Sequence, residues 1–186
     1  MSYQDDLQKL LISTPNLQEI FTILRNNGLQ EAYLCAGWVR NLVWNNLNQL
    51  EPTYLQDNLD IYYKKNSETA EEHQILTTKL NTHHAKYLWD LHNLASPPPH
   101  YSKIPQGDSI QEVLTKFPET CSAVGIRLQT NGQFEILAPY GLADLFELKV
   151  KPTPVFLATN SMTAFNERIK RKRWTQRWPK LKISKN

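Results

Sequence analysis

Two short segments of the chain carry residue types suited to phosphate chemistry. Residues 36–41 (AGWVRN) place a glycine where a short apolar stretch turns into a helical pattern that begins with Arg40. Residues 57–63 (DNLDIYY) read as a strand with aspartate near its start. A helix N-terminus offers unpaired N–H groups to an anion, and carboxylates on a neighbouring strand can hold Mg²⁺ between protein and phosphate oxygens. The two segments together predict a phosphate-handling cleft.

The residues around the glycine turn are candidates for contact with phosphate. Gly37 would let the backbone approach an anion closely, and Arg40 could add a charge-assisted hydrogen bond. A cation in the first turn opposes the helix dipole, so Arg40 needs such a reason to be there. We expect its loss to weaken nucleotide binding and to leave the fold intact. The alternatives are an ordinary strand–helix turn at Gly37 and a structural ion pair of Arg40 with Asp60 or Asp144.

Other polar or aromatic residues extend this candidate site. The indole of Trp38, beside the turn, could either narrow the phosphate space or serve as a stacking platform. The complete set of candidate nucleotide- or phosphate-binding residues is Gly37, Trp38, Arg40, Asn41, Asn58 and Asn93.

In type and order these residues resemble the polymerase-β-type nucleotidyltransferase superfamily, and most closely a small bacterial branch of it. In that branch a glycine turn followed by Arg-Asn and a tryptophan precedes an Asp-x-Asp strand. Further matching blocks follow in the same order, at residues 117–120 (FPET), 123–128 (AVGIRL), 138–146 (APYGLADLF), 151–154 (KPTP) and 173–181 (RWTQRWPKL). The collinear order makes the resemblance specific.

The resemblance implies a fold and a reaction. The fold would be α+β and polymerase-β-like, with a small mixed sheet flanked by helices and a C-terminal α+β lobe. The reaction would transfer a nucleoside monophosphate from a nucleoside triphosphate to an unknown acceptor, with Mg²⁺ or Mn²⁺ as cofactor. Asp60 and Asp90 would be the catalytic and metal-binding carboxylates, and Asn93 occupies an asparagine position of the branch.

The chain departs from the family pattern at the metal-binding pair. Asn58 stands where the family has the first aspartate of Asp-x-Asp. An asparagine amide is neutral and is a poor substitute for a charged ligand of a hard cation. Asp57 is adjacent, but side chains of a strand alternate between faces, so Asp57 should point away from Asp60. Activity could therefore be weakened, or the chain could be an inactive relative that binds a nucleotide or a protein.

Composition limits the class of protein. The chain has 186 residues, of which 40% are hydrophobic, and it carries two cysteines, Cys35 and Cys121. No run of apolar residues is long enough to span a membrane, and the acidic, polar N-terminus is unlike a secretory signal. Two cysteines do not make a disulfide framework. We therefore expect a cytoplasmic protein without a membrane partner.

Charge is concentrated near the C-terminus. Residues 167–186 contain nine Lys or Arg and one acidic residue, whereas the formal net charge of the whole chain is only +3. A basic segment of this kind often binds polyanions, so Arg168–Lys182 is a candidate nucleic-acid surface, with Trp174 and Trp178 available for stacking. The alternative is a solvated basic helix.

Turn and cap signals divide the chain into elements. We predict a nucleotidyltransferase-like core over residues 1–95, a proline-rich loop over 96–106, and a C-terminal lobe with the basic tail over 107–186, packed on the core as one unit. Helix starts are predicted at Ser2, Pro15, Ser67 and Ser109 from their capping patterns. Asn131-Gly132 predicts a hairpin. Residues 141–150 are predicted to start with a turn and to continue as either helix or strand.

Overall fold

The computed structural model describes residues 2–51, 57–96, 105–159 and 162–184. The helices are α1 (Tyr3–Ile12), α2 (Pro15–Asn26), α3 (Gly37–Leu47), α4 (Ala70–His83), α5 (Ile110–Thr115), α6 (Ala143–Phe146), α7 (Pro154–Thr159), α8 (Met162–Lys172) and α9 (Trp174–Arg177). The strands are β1 (Tyr33–Cys35), β2 (Asn58–Tyr63), β3 (Leu88–Asn93), β4 (Gly125–Leu128), β5 (Phe134–Leu137), β6 (Lys149–Val150) and β7 (Lys182–Ile183). A short 3-10 helix covers Thr120–Ser122.

Five strands form one mixed sheet in the order β3-β2-β1-β4-β5. The pair β2 and β3 is parallel, whereas β1 is antiparallel to β2 and to β4, and β4 is antiparallel to β5. Gly132 lies in the turn between β4 and β5 with a φ of +82°, as the Asn131-Gly132 signal predicts. The α+β fold with a mixed sheet flanked by helices, predicted from the resemblance, is confirmed.

The two faces of this sheet are covered unequally. Strand residues such as Leu34, Ile61 and Ile126 belong to the main hydrophobic core, together with apolar residues of α1, α2 and α3. Tyr33 and Tyr62 point to the other face, where they belong to a smaller cluster that includes residues of α5. Because strand residues alternate between faces, polar strand residues on the Tyr62 side of the sheet lie on the face with less apolar cover.

The helix caps follow the sequence signals with one exception. Ser2 and Ser109 cap α1 and α5, with their side chains accepting hydrogen bonds from Asp5 and Glu112 backbone N–H groups. The prediction that Ser67 starts the next helix is wrong, because Thr69 caps α4 in a reciprocal capping box with Glu72. Residues 141–150 contain both α6 and β6.

The basic C-terminal segment is folded onto the rest of the protein. Trp174 and Trp178 are buried, and both pack edge-on against Trp44 of α3, with ring centroids 5.5 and 5.0 Å away. Trp178 Nε1 donates a 2.9 Å hydrogen bond to Asn45 Oδ1.

Strands β4 and β5, which follow residue 107, belong to the same sheet as β1, whereas β6 and β7 form a separate two-stranded parallel sheet. The division into units at 96–106 therefore stays a prediction, and residues 97–104 of that loop lie outside the described residues. In the described ranges, none of the helices has the length and apolar character needed to cross a membrane.

Candidate functional site

A cleft of about 240 Å³ lies beside the less covered face of the sheet. Its carboxylate wall, on β2 and β3, consists of Asp60, Asp90 and His92. Its cationic wall, on α3 and α8, consists of Arg40, Arg168 and Lys172. The remaining lining residues are Ala36, Gly37, Tyr62, Pro105, Phe117, Pro118, Glu119 and Ser122. The cleft thus brings anionic and cationic groups to one space.

The parallel pairing of β2 and β3 creates the carboxylate wall. Asp60 and Asp90 are register partners, so their side chains leave adjacent strands on the same face. His92 follows Asp90 by two residues and therefore shares that face. Its Nε2 lies 3.8 Å from an Asp60 oxygen and 3.5 Å from an Asp90 oxygen. Sequence reasoning paired the two aspartates but gave His92 no role.

These three side chains suit a divalent metal ion. One ligand atom from each lies within 4.8 Å of the other two. Two carboxylates and an imidazole are a common donor set for divalent ions. Burial raises the pKa of Asp90, a shift that His92 opposes and that the nearby Asp60 carboxylate reinforces. An added cation would relieve the repulsion between the two carboxylates. The residues present therefore fit a divalent metal ion, the class of cofactor that the family resemblance implies.

The turn into α3 is strained at Ala36 rather than at Gly37. Ala36 has a φ of +61° and a ψ of −122°, a conformation that costs a non-glycine residue free energy. Its side chain provides no cap for the first turn of α3. Gly37 has no positive φ, and a Cβ there would meet Arg40 Nη2 at 3.5 Å, an ordinary contact. Gly37 thus leaves room beside the guanidinium, while the unusual backbone belongs to Ala36.

Arg40 is held inside the protein. It is only 5% exposed. Its guanidinium donates hydrogen bonds to Ser122 Oγ at 2.8 Å and to Asn41 Oδ1 at 2.9 Å. It also lies over the Trp44 and Trp174 rings, at 5.0 and 4.3 Å from their centroids. Because this side chain contributes to core packing, its loss is expected to destabilise the fold, contrary to the expectation from the sequence. Neither Asp60 nor Asp144 is its direct partner.

The rest of the cationic wall comes from one face of α8. Arg168 forms an ion pair with Glu119, whose side chain is fully buried. Lys172, one turn further on, reaches the same cleft. Partial desolvation, followed by the nearby Arg168 and Arg40, lowers the pKa of Lys172. A polyanion in the cleft would offset this crowding of positive charge.

Several predicted candidates lie outside the cleft lining. Trp38 is 2% exposed and packs in the main core, and it is not among the cleft-lining residues. Asn41 joins Arg40 to Asp57, to which it donates a 2.9 Å hydrogen bond. Asn93 donates hydrogen bonds to Glu68 and to the Lys65 carbonyl. Asn41 and Asn93 therefore hold neighbouring residues in place, and Trp38 fills part of the core.

Asn58 is exposed at the start of β2, on the Asp60 face but not in the cleft lining.

Two spacing patterns in the sequence could have identified the remaining residues of the site. The spacing of Asp90 and His92 is that of residues on one face of a strand. The spacing of Arg168 and Lys172 is that of neighbours on a helix surface.

The comparisons with known proteins point in one direction. A family model described as nucleotidyltransferase matches residues 22–183. A solved structure described as an NMR structure that reveals a CCA-adding enzyme head domain is 31% identical. It superposes with a TM-score of 0.84 and covers 98% of this chain and 96% of that one.

Longer proteins share the fold. A CCA-adding enzyme in complex with CTP is 19% identical, with a TM-score of 0.61, over 96% of this chain and 43% of that one. The Thermotoga maritima CCA-adding enzyme complexed with tRNA is 17% identical, with a TM-score of 0.58, over 97% and 42%. The chain thus spans less than half of the length of these two enzymes. A search of curated proteins gives no match.

Proposed function

Because this chain belongs to the nucleotidyltransferase family, we propose that it transfers a nucleoside monophosphate from a nucleoside triphosphate to a hydroxyl acceptor and releases pyrophosphate. The observation that carries the proposal is the register pairing of Asp60 with Asp90, in a cleft whose other wall holds Arg168 and Lys172. Carboxylates to hold a metal and cations to hold a polyphosphate are the two requirements of this chemistry.

Each wall would do a different part of the work. A divalent ion, Mg²⁺ or Mn²⁺, when bound between Asp60 and Asp90, would neutralise phosphate charge and lower the pKa of the acceptor hydroxyl. Arg168 and Lys172 would orient the polyphosphate by charge-assisted hydrogen bonds. The uncapped first turn of α3 at Gly37 would direct backbone N–H groups at an anion. The guanidinium charge of Arg40, which lines the cleft, would add positive potential there without requiring a contact between Arg40 and the substrate.

The direct test is transfer of label from each α-³²P-labelled nucleoside triphosphate to a panel of acceptors, with Mg²⁺ or Mn²⁺. We expect Asp60→Asn to abolish transfer and the matched change Asp6→Asn, on α1, to preserve it. If the wild type transfers no label and no nucleotide raises its melting temperature, catalysis and nucleotide binding are both lost. The chain would then be an inactive relative whose partner is a protein or a nucleic acid.

A second candidate function is nucleic-acid binding through Arg168–Lys182. The observation that favours it is a set of exposed cations on this segment, next to the cleft: Lys170, Arg171, Lys172, Arg173, Lys180 and Lys182. A nucleic-acid 3′ end held there would present its hydroxyl to the carboxylate wall, so the acceptor and the nucleic acid would be the same molecule.

Charge removal without truncation tests this surface. Deletion of residues 167–186 would also remove Trp174 and Trp178, which are buried. Changing Lys170, Arg171 and Arg173 to alanine keeps both indoles. We expect weaker RNA binding and a shallower dependence of affinity on salt. The variant makes fewer phosphate contacts, so its binding releases fewer counterions. If wild-type protein ignores RNA and DNA at low salt, the surface serves only to solvate the helix.

The state of the two cysteines indicates the redox conditions of the cellular compartment. Cys35 and Cys121 are both free and buried, a state that reducing conditions maintain. We propose that the protein works in the cytoplasm.

A further inference from the structure

The imidazole of His92 occupies an unusual place for a side chain beside two carboxylates. Its side chain is 7% exposed, against 27% for Asp60 and 48% for Asp90. It therefore lies deeper than either aspartate. A buried histidine beside two carboxylates can be a protonated counter-ion or a neutral metal ligand, and the two roles have different consequences for the ion that binds.

The surroundings of His92 fix the orientation of its ring. The ring packs against Tyr62 with centroids 4.5 Å apart and an interplanar angle of 36°, and Tyr62 in turn contacts Phe117 at 5.8 Å. This aromatic support limits rotation of the imidazole and leaves Nε2 directed at the two carboxylates. A ligand held in this way loses little conformational entropy when an ion binds.

The donor set disfavours Mg²⁺, and its spacing accommodates a single ion. Mg²⁺ demands near-octahedral oxygen ligands and keeps several waters, whereas imidazole suits transition metals. Neighbouring ligands of a tetrahedral ion with bonds near 2.1 Å are about 3.4 Å apart. The distances from His92 Nε2 to the two aspartates, 3.5 and 3.8 Å, are close to this value. Asn58 further withholds the carboxylate that would favour a hard cation.

From these contacts we propose that His92 Nε2 is the third protein ligand, so that the cleft selects a divalent transition-metal ion over Mg²⁺. The inference rests on the proposed function only in placing the ion in the same cleft. On this proposal the chain has Asn58 where the family has a carboxylate, and it has a nitrogen ligand on the neighbouring strand. The site then binds a different ion and is not abolished.

The test measures metal binding without nucleotide. Calorimetric titration of wild-type protein and of His92→Phe with Mg²⁺ and with Co²⁺ separates a ligand from a charge. Phenylalanine keeps a ring against Tyr62 but has no donor atom. We expect Co²⁺ affinity to fall at least about tenfold and Mg²⁺ affinity to change less than about twofold, since Mg²⁺ makes little use of a nitrogen ligand. His83→Phe, at the exposed end of α4, is the control for Co²⁺ bound at surface histidines.

A spectroscopic measurement on the unaltered protein tests the proposal even if His92→Phe does not fold. Pulsed EPR of the Mn²⁺-loaded wild type should show coupling to an imidazole nitrogen, and His83→Phe should retain it. Unchanged Co²⁺ affinity in His92→Phe, an equal loss of Co²⁺ and Mg²⁺ affinity, or the absence of nitrogen coupling would each overturn the proposal.

The two proposals can fail separately. If Asp60→Asn also leaves Co²⁺ binding unchanged, the ion does not bind in this cleft, and the proposed transfer reaction loses its metal site. If Asp60→Asn abolishes binding while His92→Phe has no effect, the transfer reaction stands with oxygen ligands alone.

Discussion

The carboxylate wall and the cationic wall differ in how far their charged groups are tied to the rest of the protein. Asp60 and Asp90 keep part of their side chains exposed, and the imidazole of His92 lies beside both carboxylates. Arg40 is enclosed by Ser122, Asn41 and two tryptophans. The two carboxylates are therefore free to change with their ligand, whereas Arg40 cannot change without disturbing the core.

The largest expected effect comes from removing the support of the cationic wall. Trp174→Ala deletes an indole that is 5% exposed and packs on both Trp44 and the Arg40 guanidinium. We expect the free energy of unfolding, measured by urea denaturation, to fall by about 3–5 kcal/mol. Lys170→Ala on the exposed side of α8 is the control, with a change within about 0.5 kcal/mol. A small loss for Trp174→Ala would show that the C-terminal segment is not part of the core.

The next test acts on the cationic wall itself. Arg40→Ala leaves the Asn41 and Ser122 acceptors without their donor, and we expect a loss of about 1.5–3 kcal/mol in the free energy of unfolding, the range for hydrogen bonds to charged groups. Thermal melts without nucleotide measure it, with Arg171→Ala as the exposed control. If Arg40→Ala melts like the wild type but loses nucleotide binding, Arg40 is no more tied to the core than the two aspartates are. The proposed difference between the two walls would then be wrong.

The carboxylate wall should respond in the opposite way. Asp90→Asn removes one of two neighbouring carboxylates, so we expect a change within about 0.5 kcal/mol in the free energy of unfolding without metal. Added Mn²⁺ should stabilise the wild type by mass action and should fail to stabilise the variant. Paired denaturation curves with and without Mn²⁺ give both quantities. Strong destabilisation of the metal-free variant would mean that Asp90 is structural.

The last expected effect is a gain in nucleotide binding rather than a loss of stability. Asn58→Asp restores the family's aspartate pair on the Asp60 face of β2, and we expect Mg²⁺-dependent nucleotide binding to rise by up to about tenfold, or 1.4 kcal/mol. The gain is limited because residue 58 is exposed and does not line the cleft. Calorimetry with nucleotide and Mg²⁺ compares the two proteins. Equal affinity, or strong activity in the wild type, would show that Asn58 is not the limiting departure.

Local signals in the sequence predicted more of the fold than of the site. The caps at Ser2 and Ser109 and the Asn131-Gly132 hairpin depend on a few neighbouring residues, and the structure contains all three. The predicted helix start at Ser67 was wrong because Thr69 offers the same cap chemistry two residues later, with Glu72 to complete the capping box. The Thr69-x-x-Glu72 capping box is itself a local signal, and it decides between the two candidate caps.

The site depends on contacts between distant segments, which local patterns do not contain. The pairing of Asp60 with Asp90 follows from a strand register, and the arrival of Arg168 beside Glu119 follows from the docking of α8. Trp38 and Asn41 were predicted to contact nucleotide because they adjoin the glycine turn. Helical geometry instead points both toward the protein interior, where they are buried.

The central strand β1 has consequences for how the chain folds as it is synthesised. β1 pairs with β2, which is made soon after it, and with β4, whose Ile126 meets Leu34 only when a long intervening segment is complete. Until then one edge of β1 is unpaired and Trp44 lacks the indoles that cover it. Pairing over long sequence separations is slow, and an open strand edge with exposed apolar surface invites aggregation. Chaperone demand should therefore peak late in translation, and slower elongation after residue 95 should lower the yield of folded protein.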